Sequence, residues 1–363
     1  MTDESEWLES AVRGGTDWML LAHAATERNG ISGCFDLDRG WDPPYAETSG
    51  YSIPTLLRAS RRLNDPRVDQ VAFEVGRWLL SIQRDDGSFP GEMGVDGDPI
   101  VFDVGQILLG LLALHEATGD EPSERAARKA ANWLCAAQDD DGAWRRDVFR
   151  GYANTYSSRV AWALAVAGHQ LDEPTYADAA VRACEWIASH GRSSGWLDRM
   201  GFSEDELPTT HTIAYTLRGL LRVGTISGVP RLVDLAVRGA GCLSRARGAF
   251  HPLLPGEFSA DFLPAANFAC LTGDAQMVVV WLDAARVTGD QQLADRARVT
   301  GRRLHALQQA NLGGRFETLG ALPGSFPLDG GYEPRRFPNW ATKFMVDAFL
   351  DLLDFQHEGR LAG

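Results

Sequence analysis

The chain is poor in most of the features that announce a site. Its five cysteines (Cys34, Cys135, Cys184, Cys242, Cys270) are scattered, form no CxxC pair and are odd in number. This argues against a disulfide framework or a thiolate zinc site and leaves buried free thiols as the expectation. No His-rich cluster is present either, so neither a metal nor another cofactor is expected, a loop-bound Ca²⁺ aside. Positive charge is short: Lys+Arg is 35 against Asp+Glu 49, a formal net charge of −14, and Lys129 and Lys343 are the only lysines. Phosphate contacts need a basic surface, so so acidic a chain makes a poor nucleic-acid binder. No apolar run approaches the roughly 18 residues of a membrane span, and Met1-Thr2-Asp3-Glu4-Ser5-Glu6 lacks the basic and apolar segments of a leader. A cytoplasmic protein is the expectation. Strand signals are weak, because no hairpin dipeptide joins two alternating runs.

What the chain does have is a repeat. A helical stretch, a polar loop, then glycine and an aromatic recur as Gly33-Cys34-Phe35, Gly87-Ser88-Phe89, Gly142-Ala143-Trp144, Gly195-Trp196, Gly248-Ala249-Phe250 and Gly314-Arg315-Phe316. The aromatics lie 54, 55, 52, 54 and 66 residues apart, a regularity that marks a repeat architecture. After each aromatic come an irregular loop, an apolar helix, a turn such as Thr118-Gly119-Asp120 or Thr288-Gly289-Asp290, and a second helix. The second helices are amphipathic, as over Ala126–Leu134, with apolar positions at three- and four-residue spacing. The first helices are apolar nearly all round, as over Val104–Leu114, and such a helix is buried on every side. Six buried helices sheathed by six amphipathic ones predict an all-α fold, an (α/α)6 toroid of twelve alternating inner and outer helices, with 1–363 as one domain. The first outer helix is expected over Glu6–Arg28 and the last inner one over Asn339–Phe355. The long loops at 85–102, 145–155, 190–210, 250–268 and 312–338 carry Gly, Pro and aromatics, and long loops in compact domains are commonly functional.

In such a toroid the inner helices run parallel, so their N-termini and the long loops gather at one mouth. The summed helix dipoles there favour an anionic ligand. Each inner helix also opens with polar residues. Spacings of three, four and seven place Glu47 with Tyr51, Tyr156 with Arg159, His211 with Tyr215 and Arg218, and Asn339 with Lys343 on shared faces. Buried charges need partners or a wet cavity. The candidate catalytic residues are therefore His211, Tyr156, Tyr215, Glu47 and Asp103. The candidate substrate-binding residues are Tyr51, Gln106, Arg159, Arg218, Gln276, Asn339, Trp340 and Lys343. A plainer reading stands beside this one. Asp103, Thr209 and Thr272 serve equally as N-caps, Asp274 as a first-turn dipole partner, and Arg159 and Arg218 as structural partners of Glu47 or Asp103. The glycine-aromatic units read as packing staples before they read as an aromatic rim for sugars. Asp85-Asp86-Gly87 and Asp139-Asp140-Asp141-Gly142 read as solvated turns.

Gln83-Arg84-Asp85-Asp86-Gly87-Ser88-Phe89 and Gln138-Asp139-Asp140-Asp141-Gly142-Ala143-Trp144 resemble the Gln–Asp-Gly–aromatic repeat of squalene-hopene cyclases and protein prenyltransferases. Tyr45-Ala46-Glu47-Thr48-Ser49-Gly50-Tyr51, His211-Thr212-Ile213-Ala214-Tyr215, Leu271-Thr272-Gly273-Asp274-Ala275-Gln276 and Phe337-Pro338-Asn339-Trp340-Ala341-Thr342-Lys343 are similar to bacterial toroid proteins of polysaccharide-biosynthesis clusters. A more distant similarity is to glucuronyl C5-epimerases, polysaccharide lyases and unsaturated glucuronyl hydrolases. Together these resemblances imply a carbohydrate-active enzyme that takes a uronic-acid saccharide and works by proton abstraction, as an epimerase or lyase. On that reading Arg159, Arg218 and Lys343 would hold the carboxylate. His211, titrating near neutrality, and Tyr156, its pKa lowered by Arg159, would move the proton. The alternatives are glycoside hydrolysis by Glu47 and Asp103, a terpene cyclase and a non-catalytic sugar-binding toroid. The cyclase alternative lacks the Asp-x-Asp-Asp-Thr run of class II enzymes.

Overall fold

The computed structural model describes residues 3–361, with side chains from Ser5 to Glu358. The outer helices are α1 (Asp3–Ala24), α3 (Pro66–Ile82), α5 (Glu121–Ala137), α7 (Pro174–Ser189), α9 (Pro230–Arg245) and α11 (Gln291–Gln309). They alternate with inner helices α2 (Ala46–Leu63), α4 (Val101–Thr118), α6 (Ser158–Gln170), α8 (Thr210–Ile226), α10 (Leu271–Thr288) and α12 (Asn339–Leu361). The Thr-Gly-Asp turns join the two layers by local chemistry. Gly119 and Gly289 end α4 and α10 at φ 69° and 74°, the left-handed conformation that glycine adopts without a Cβ penalty. The next residues, Asp120 and Asp290, then cap α5 and α11 by accepting from Ser123 N–H and Gln292 N–H.

Each inner helix packs on the next, and α12 packs on α2, so the ring closes. Small residues set the spacing. A Cβ on Gly110 of α4 would lie 2.2 Å from the Gly50 carbonyl oxygen of α2, so the two backbones meet where neither has a side chain.

The glycine-aromatic units are staples of the outer layer. Gln83 Nε2 donates to Gly87 O at 3.1 Å, within its own turn, and to Ala126 O at 2.9 Å, on the next outer helix. Gln138 repeats this with Gly142 O and Ala179 O at 3.1 and 3.0 Å. Gln308 Nε2 reaches Gly320 O and Ala11 O, both at 3.0 Å, and so ties α11 to α1 across the closure. Phe89, Trp144 and Trp196 are buried, whereas Phe316 is 71% exposed, and none of the six repeat aromatics lines the mouth.

Two features depart from expectation. Among the described residues, seven strands of two or three residues, β1 (Cys34–Asp36), β2 (Gly40–Trp41), β3 (Phe258–Ser259), β4 (Leu263–Pro264), β5 (Ala269–Cys270), β6 (Ser325–Phe326) and β7 (Arg336–Pro338), form three small antiparallel sheets, ordered β2-β1-β7, β3-β4 and β5-β6. Of these, β1 (Cys34–Asp36) pairs with β7 (Arg336–Pro338) and sets Phe35 opposite Phe337, joining the first repeat's loop to the last. The other departure is α4, which by length and mean hydropathy (1.3 over 18 residues) would suffice to cross a bilayer. Here it is an inner helix packed between α2 and α6.

Asp274 lies in the first turn of α10, where it was expected, but inside the fold. It is fully buried, and its Oδ1 accepts from Leu254 N–H at 2.9 Å. Burial pushes its pKa up to about 8. Between the ordinary carboxyl range and that value the folded state holds a proton that the unfolded chain releases, so stability falls as pH rises through this window. Asp274→Asn keeps an acceptor for Leu254 and removes the titration. Relative to the variant, the wild type is expected to lose stability between pH 4 and 8, by at most about 1.4 kcal/mol per pH unit. Urea denaturation at several pH values checks this, and a pH-independent difference would refute it.

Candidate active site

The N-terminal ends of the inner helices surround a cavity of about 540 Å³. Glu47, Thr48 and Tyr51 reach it from α2, Phe102 and Asp103 from α4, His211 and Tyr215 from α8, and Trp340 from α12. Tyr156 enters from the 3₁₀ turn Thr155–Ser157 ahead of α6. Seven of the residues expected from sequence thus meet here: Glu47, Tyr51, Asp103, Tyr156, His211, Tyr215 and Trp340.

Gln106, Gln276 and Asn339 lie buried outside the lining and act through neighbours. Gln276 Oε1 is 2.7 Å from His211 Nδ1, so that nitrogen carries the ring proton. Asn339 Nδ2 donates to Ser32 O and Thr48 Oγ1, both at 2.8 Å. Gln106 Oε1 accepts from Arg159 Nε and Nη2 at 3.1 and 2.9 Å. The three cations expected to hold a carboxylate are not at the mouth. Arg159, Arg218 and Lys343 line a separate cavity towards the other end of the toroid. A helix rises about 1.5 Å per residue, so Arg218, on the face of His211 but seven residues on, sits roughly 10 Å deeper. Lys343 is one turn below Asn339 and bonds Asp347, one turn deeper again, at 2.7 Å.

The proton chemistry also differs from expectation. Burial, countered by Gln276, pushes His211 down to about 4, so its ring is neutral at pH 7 and a weak base. Tyr156 is pushed up by burial and by the charges of Asp103 and Glu47, and the cation that opposes this shift is Arg150, not Arg159. The two carboxyl groups of the mouth are both raised. Burial raises Glu47 to about 7, against the pull of Tyr45 and Arg159. Asp103 is raised by burial and then by the charge of Glu47. Two buried carboxyls that repel one another's charge retain a proton between them around neutral pH. The Tyr45 hydroxyl stands beside both, and Glu92 N–H donates to Asp103 Oδ2 at 3.0 Å. Glu92 does so from a left-handed backbone at φ 60°, and Arg150 and Glu333, also at the mouth, have φ 53° and 48°. Such conformations are costly for residues with a Cβ and persist where the surroundings hold them.

The mouth is acidic rather than basic. Glu47, Glu92, Asp103 and Glu333 face Arg150 as the one lining cation among the described residues, and Arg150 is paired to Glu206 at 2.7 Å. The rest is aromatic. Phe102 packs between Tyr156 and Tyr215 at ring distances of 5.3 and 5.1 Å, and Phe202 packs on Tyr156 and Phe149 at 5.8 and 5.9 Å. Trp340 Nε1 donates to the Tyr332 hydroxyl at 2.9 Å.

Sequence reasoning missed Tyr45, Thr48, Phe102, Glu92, Met93, Phe149, Arg150, Phe202, Tyr332 and Glu333. Tyr45 was within reach, as the residue at the N-cap of α2, two positions ahead of Glu47. Thr48 and Phe102 lie in the first turns of α2 and α4, beside Glu47 and Asp103; the others fall in the long loops at 85–102, 145–155, 190–210 and 312–338. Long loops in a compact domain commonly carry function, but an irregular backbone has no periodicity from which to choose the inward-facing positions.

Residues 2–220 match the family described as the squalene-hopene cyclase C-terminal domain, and the chain belongs to that family. Squalene–hopene cyclases of Bradyrhizobium diazoefficiens and Zymomonas mobilis are each 24% identical, over 186 and 182 residues. Each alignment covers 48% of this chain but only 26% of the relative, so the chain spans about a quarter of the length of the curated relatives it matches. Among solved structures, a D-mannose isomerase superposes with a TM-score of 0.75 at 14% identity, covering 98% of this chain and 99% of the other. An unsaturated glucuronyl hydrolase from Bacillus sp. GL1 gives 0.72 at 16% identity, with 95% and 96% covered. Cellobiose 2-epimerase from Bacillus thermoamylovorans gives 0.73 at 12%, with 94% and 98% covered. At these identities the likeness establishes the α/α-toroid fold.

Proposed function

We propose that this member of the squalene-hopene cyclase C-terminal domain family is a sugar-processing enzyme that hydrolyses a neutral saccharide, with Asp103 as general acid and Glu47 as general base. The observation that carries this reading is the Glu47–Asp103 pair, two buried carboxyls on adjacent inner helices that both line the mouth and are both held above the usual carboxyl range by burial. Glycoside hydrolysis needs one carboxyl protonated and one ionised. Asp103 gives its proton to the glycosidic oxygen as the bond to the anomeric carbon breaks. Glu47 takes a proton from the water that adds to that carbon, so both protons are accounted for. The aromatic walls suit the apolar faces of sugar rings, and the volume falls within the range of about 300–1,000 Å³ of small-molecule sites. The sugar chemistry named for the hydrolase, epimerase and isomerase of the same fold supports the substrate class.

A uronate fits less well than a neutral sugar, because the cations meant for its carboxylate line the other cavity and the mouth carries carboxyls of its own. Cyclisation by alkene protonation fits less well too. It calls for a strong acid, and burial has made these carboxyls weaker acids than usual. Asp141 of the triple-Asp turn is instead paired to Arg145 at the surface.

The test is release of reducing sugar from a panel of neutral oligosaccharides and aryl glycosides, with uronate-bearing counterparts alongside. Solvent deuterium appearing on a sugar carbon without bond cleavage would assign the site to isomerisation instead. With a substrate in hand, kcat/KM is expected to rise through pH 7 as Glu47 ionises and to fall when Asp103 loses its proton. Tyr45→Phe removes a hydrogen bond that favours ionised Glu47, so the rising limb should move to higher pH. An unmoved limb would detach Tyr45 from the pair.

A further inference from the structure

A second cavity, of about 410 Å³, lies towards the C-terminal ends of the inner helices. Tyr51 borders both cavities. The partition also contains Tyr215 and Phe344, with the Arg159 guanidinium 5.0 and 5.7 Å from their rings. On the α12 side of this cavity, acids and bases are matched. Arg58 Nη2 holds Asp351 at 2.6 Å and Asp354 at 3.0 Å, and Lys343 holds Asp347 at 2.7 Å. Arg286 reaches Glu358 at 3.0 Å and Asp283 at 3.3 Å.

The wall made by α6 and α8 is not matched. Arg159, Arg218 and Arg222 gather round one indole, their guanidinium carbons 4.8, 5.0 and 5.6 Å from the centre of the Trp162 ring. Arg159 is 1% exposed. Arg218 has only Asp283, at 3.6 Å, while Arg159 and Arg222 have no ion pair among the described residues. Stacking on an aromatic face leaves the in-plane N–H groups of a guanidinium unused. Three of the donors here, Arg159 Nη1, Arg222 Nε and Trp162 Nε1, are buried with no hydrogen-bond partner among the described residues.

The dipoles of the inner helices explain part of this. Their C-terminal ends favour cations, which accounts for positive charge at this end of the toroid. No helix-end carbonyl accepts from these donors, however, and a buried donor without an acceptor is costly. Repulsion among the cations points the same way. Burial first, and then Arg218, brings Arg159 down to about 10. Burial, with Arg159 and Arg218 working against Asp347, brings Lys343 down to about 8.

We propose that this cavity is a second ligand site, separate from the mouth, that takes an oxyanion, the phosphate or carboxylate group of a small molecule, between Arg159, Arg218, Arg222 and Trp162. Such a group offers several acceptor lone pairs within reach of converging donors, and guanidinium geometry matches it bidentately. The inference does not depend on the reaction assigned to the mouth.

Calorimetric titration of the full chain at low ionic strength tests it. The probes are inorganic phosphate, glucose 6-phosphate and glucuronate, with glucose as the neutral control. One of the three anions is expected to bind at a single site, and glucose is expected not to compete for it. Tighter binding of glucose 6-phosphate than of inorganic phosphate assigns a phosphate ester, and preference for glucuronate assigns a carboxylate. Arg222→Gln should weaken the anion about tenfold or more. Trp162→Phe keeps the stack and loses the N–H, so it should weaken binding severalfold; it carries the test should the arginine variant fail to fold. Absence of binding by all three anions overturns the proposal, as does a titration unchanged in both variants. A titration abolished by Glu47→Gln would place the anion at the mouth and overturn it equally.

Discussion

Glu47→Gln and Asp103→Asn are each expected to lower turnover by about 10²–10⁴-fold, the usual contribution of a positioned acid or base, with little change in substrate affinity. Both replacements are nearly isosteric, so aromatic contact with the sugar persists while proton transfer is lost. Stability supplies a second readout with the opposite sign. Each variant removes a group whose pKa is raised in the folded state by burial. Such a group makes the folded state progressively less stable as pH rises from the ordinary carboxyl range through its folded pKa. Above pH 7 the variants should therefore be at least as stable as the wild type. Lost turnover with stability retained or raised identifies a chemical role, and lost turnover with lost stability a structural one. His211→Gln and Tyr156→Phe should cost less, because a histidine held neutral and a tyrosine pushed up are poorly suited to take a proton near pH 7. Near-full activity in the two carboxylate variants, with activity abolished by His211→Gln, would discard this mechanism.

Lys343→Met is expected to destabilise the fold by about 3 kcal/mol or more. It leaves Asp347 buried without its closest cation, and breaking a buried pair from one side is far costlier than replacing both partners. Asp347 would keep Thr55 Oγ1 at 2.7 Å and a distant Arg58 at 3.9 Å, which softens the loss without cancelling it. The double variant Lys343→Met/Asp347→Leu should recover most of the stability, since neither charge is then stranded. Urea midpoints of the single and double variants measure this. A single variant as stable as the wild type would mean that the pair contributes nothing, and a double variant no better than the single would mean that packing, not charge, is at stake.

These two expectations rest on different kinds of information. The toroid follows from the sequence because it is built from local signals repeated at near-constant spacing. Apolar positions all round one helix and on one stripe of the next decide which helix is inside, and Gly119, Asp120, Gly289 and Asp290 stop and start helices without help from distant residues. Equivalent placement in consecutive repeats also brought Glu47, Asp103, Tyr156, His211, Tyr215 and Trp340 together correctly, since equivalent positions in a closed ring lie at one end of it. Helical spacing, however, fixes a face and not a depth. Arg159, Arg218 and Lys343 share faces with residues of the mouth but belong to a cavity deeper in the toroid, and only the assembled ring shows it. Protonation was likewise beyond the sequence. The shifts of His211, Glu47 and Asp103 come chiefly from the water that surrounding helices and loops exclude, and the loop residues Glu92, Arg150, Phe202 and Glu333 reach the mouth through backbone turns that carry no period. Which helices form, and in what order, was thus determined residue by residue along the chain. Which charges face one another, and which of them keep a proton, was decided by tertiary structure, because desolvation and Coulomb energy depend on distances between segments far apart in sequence.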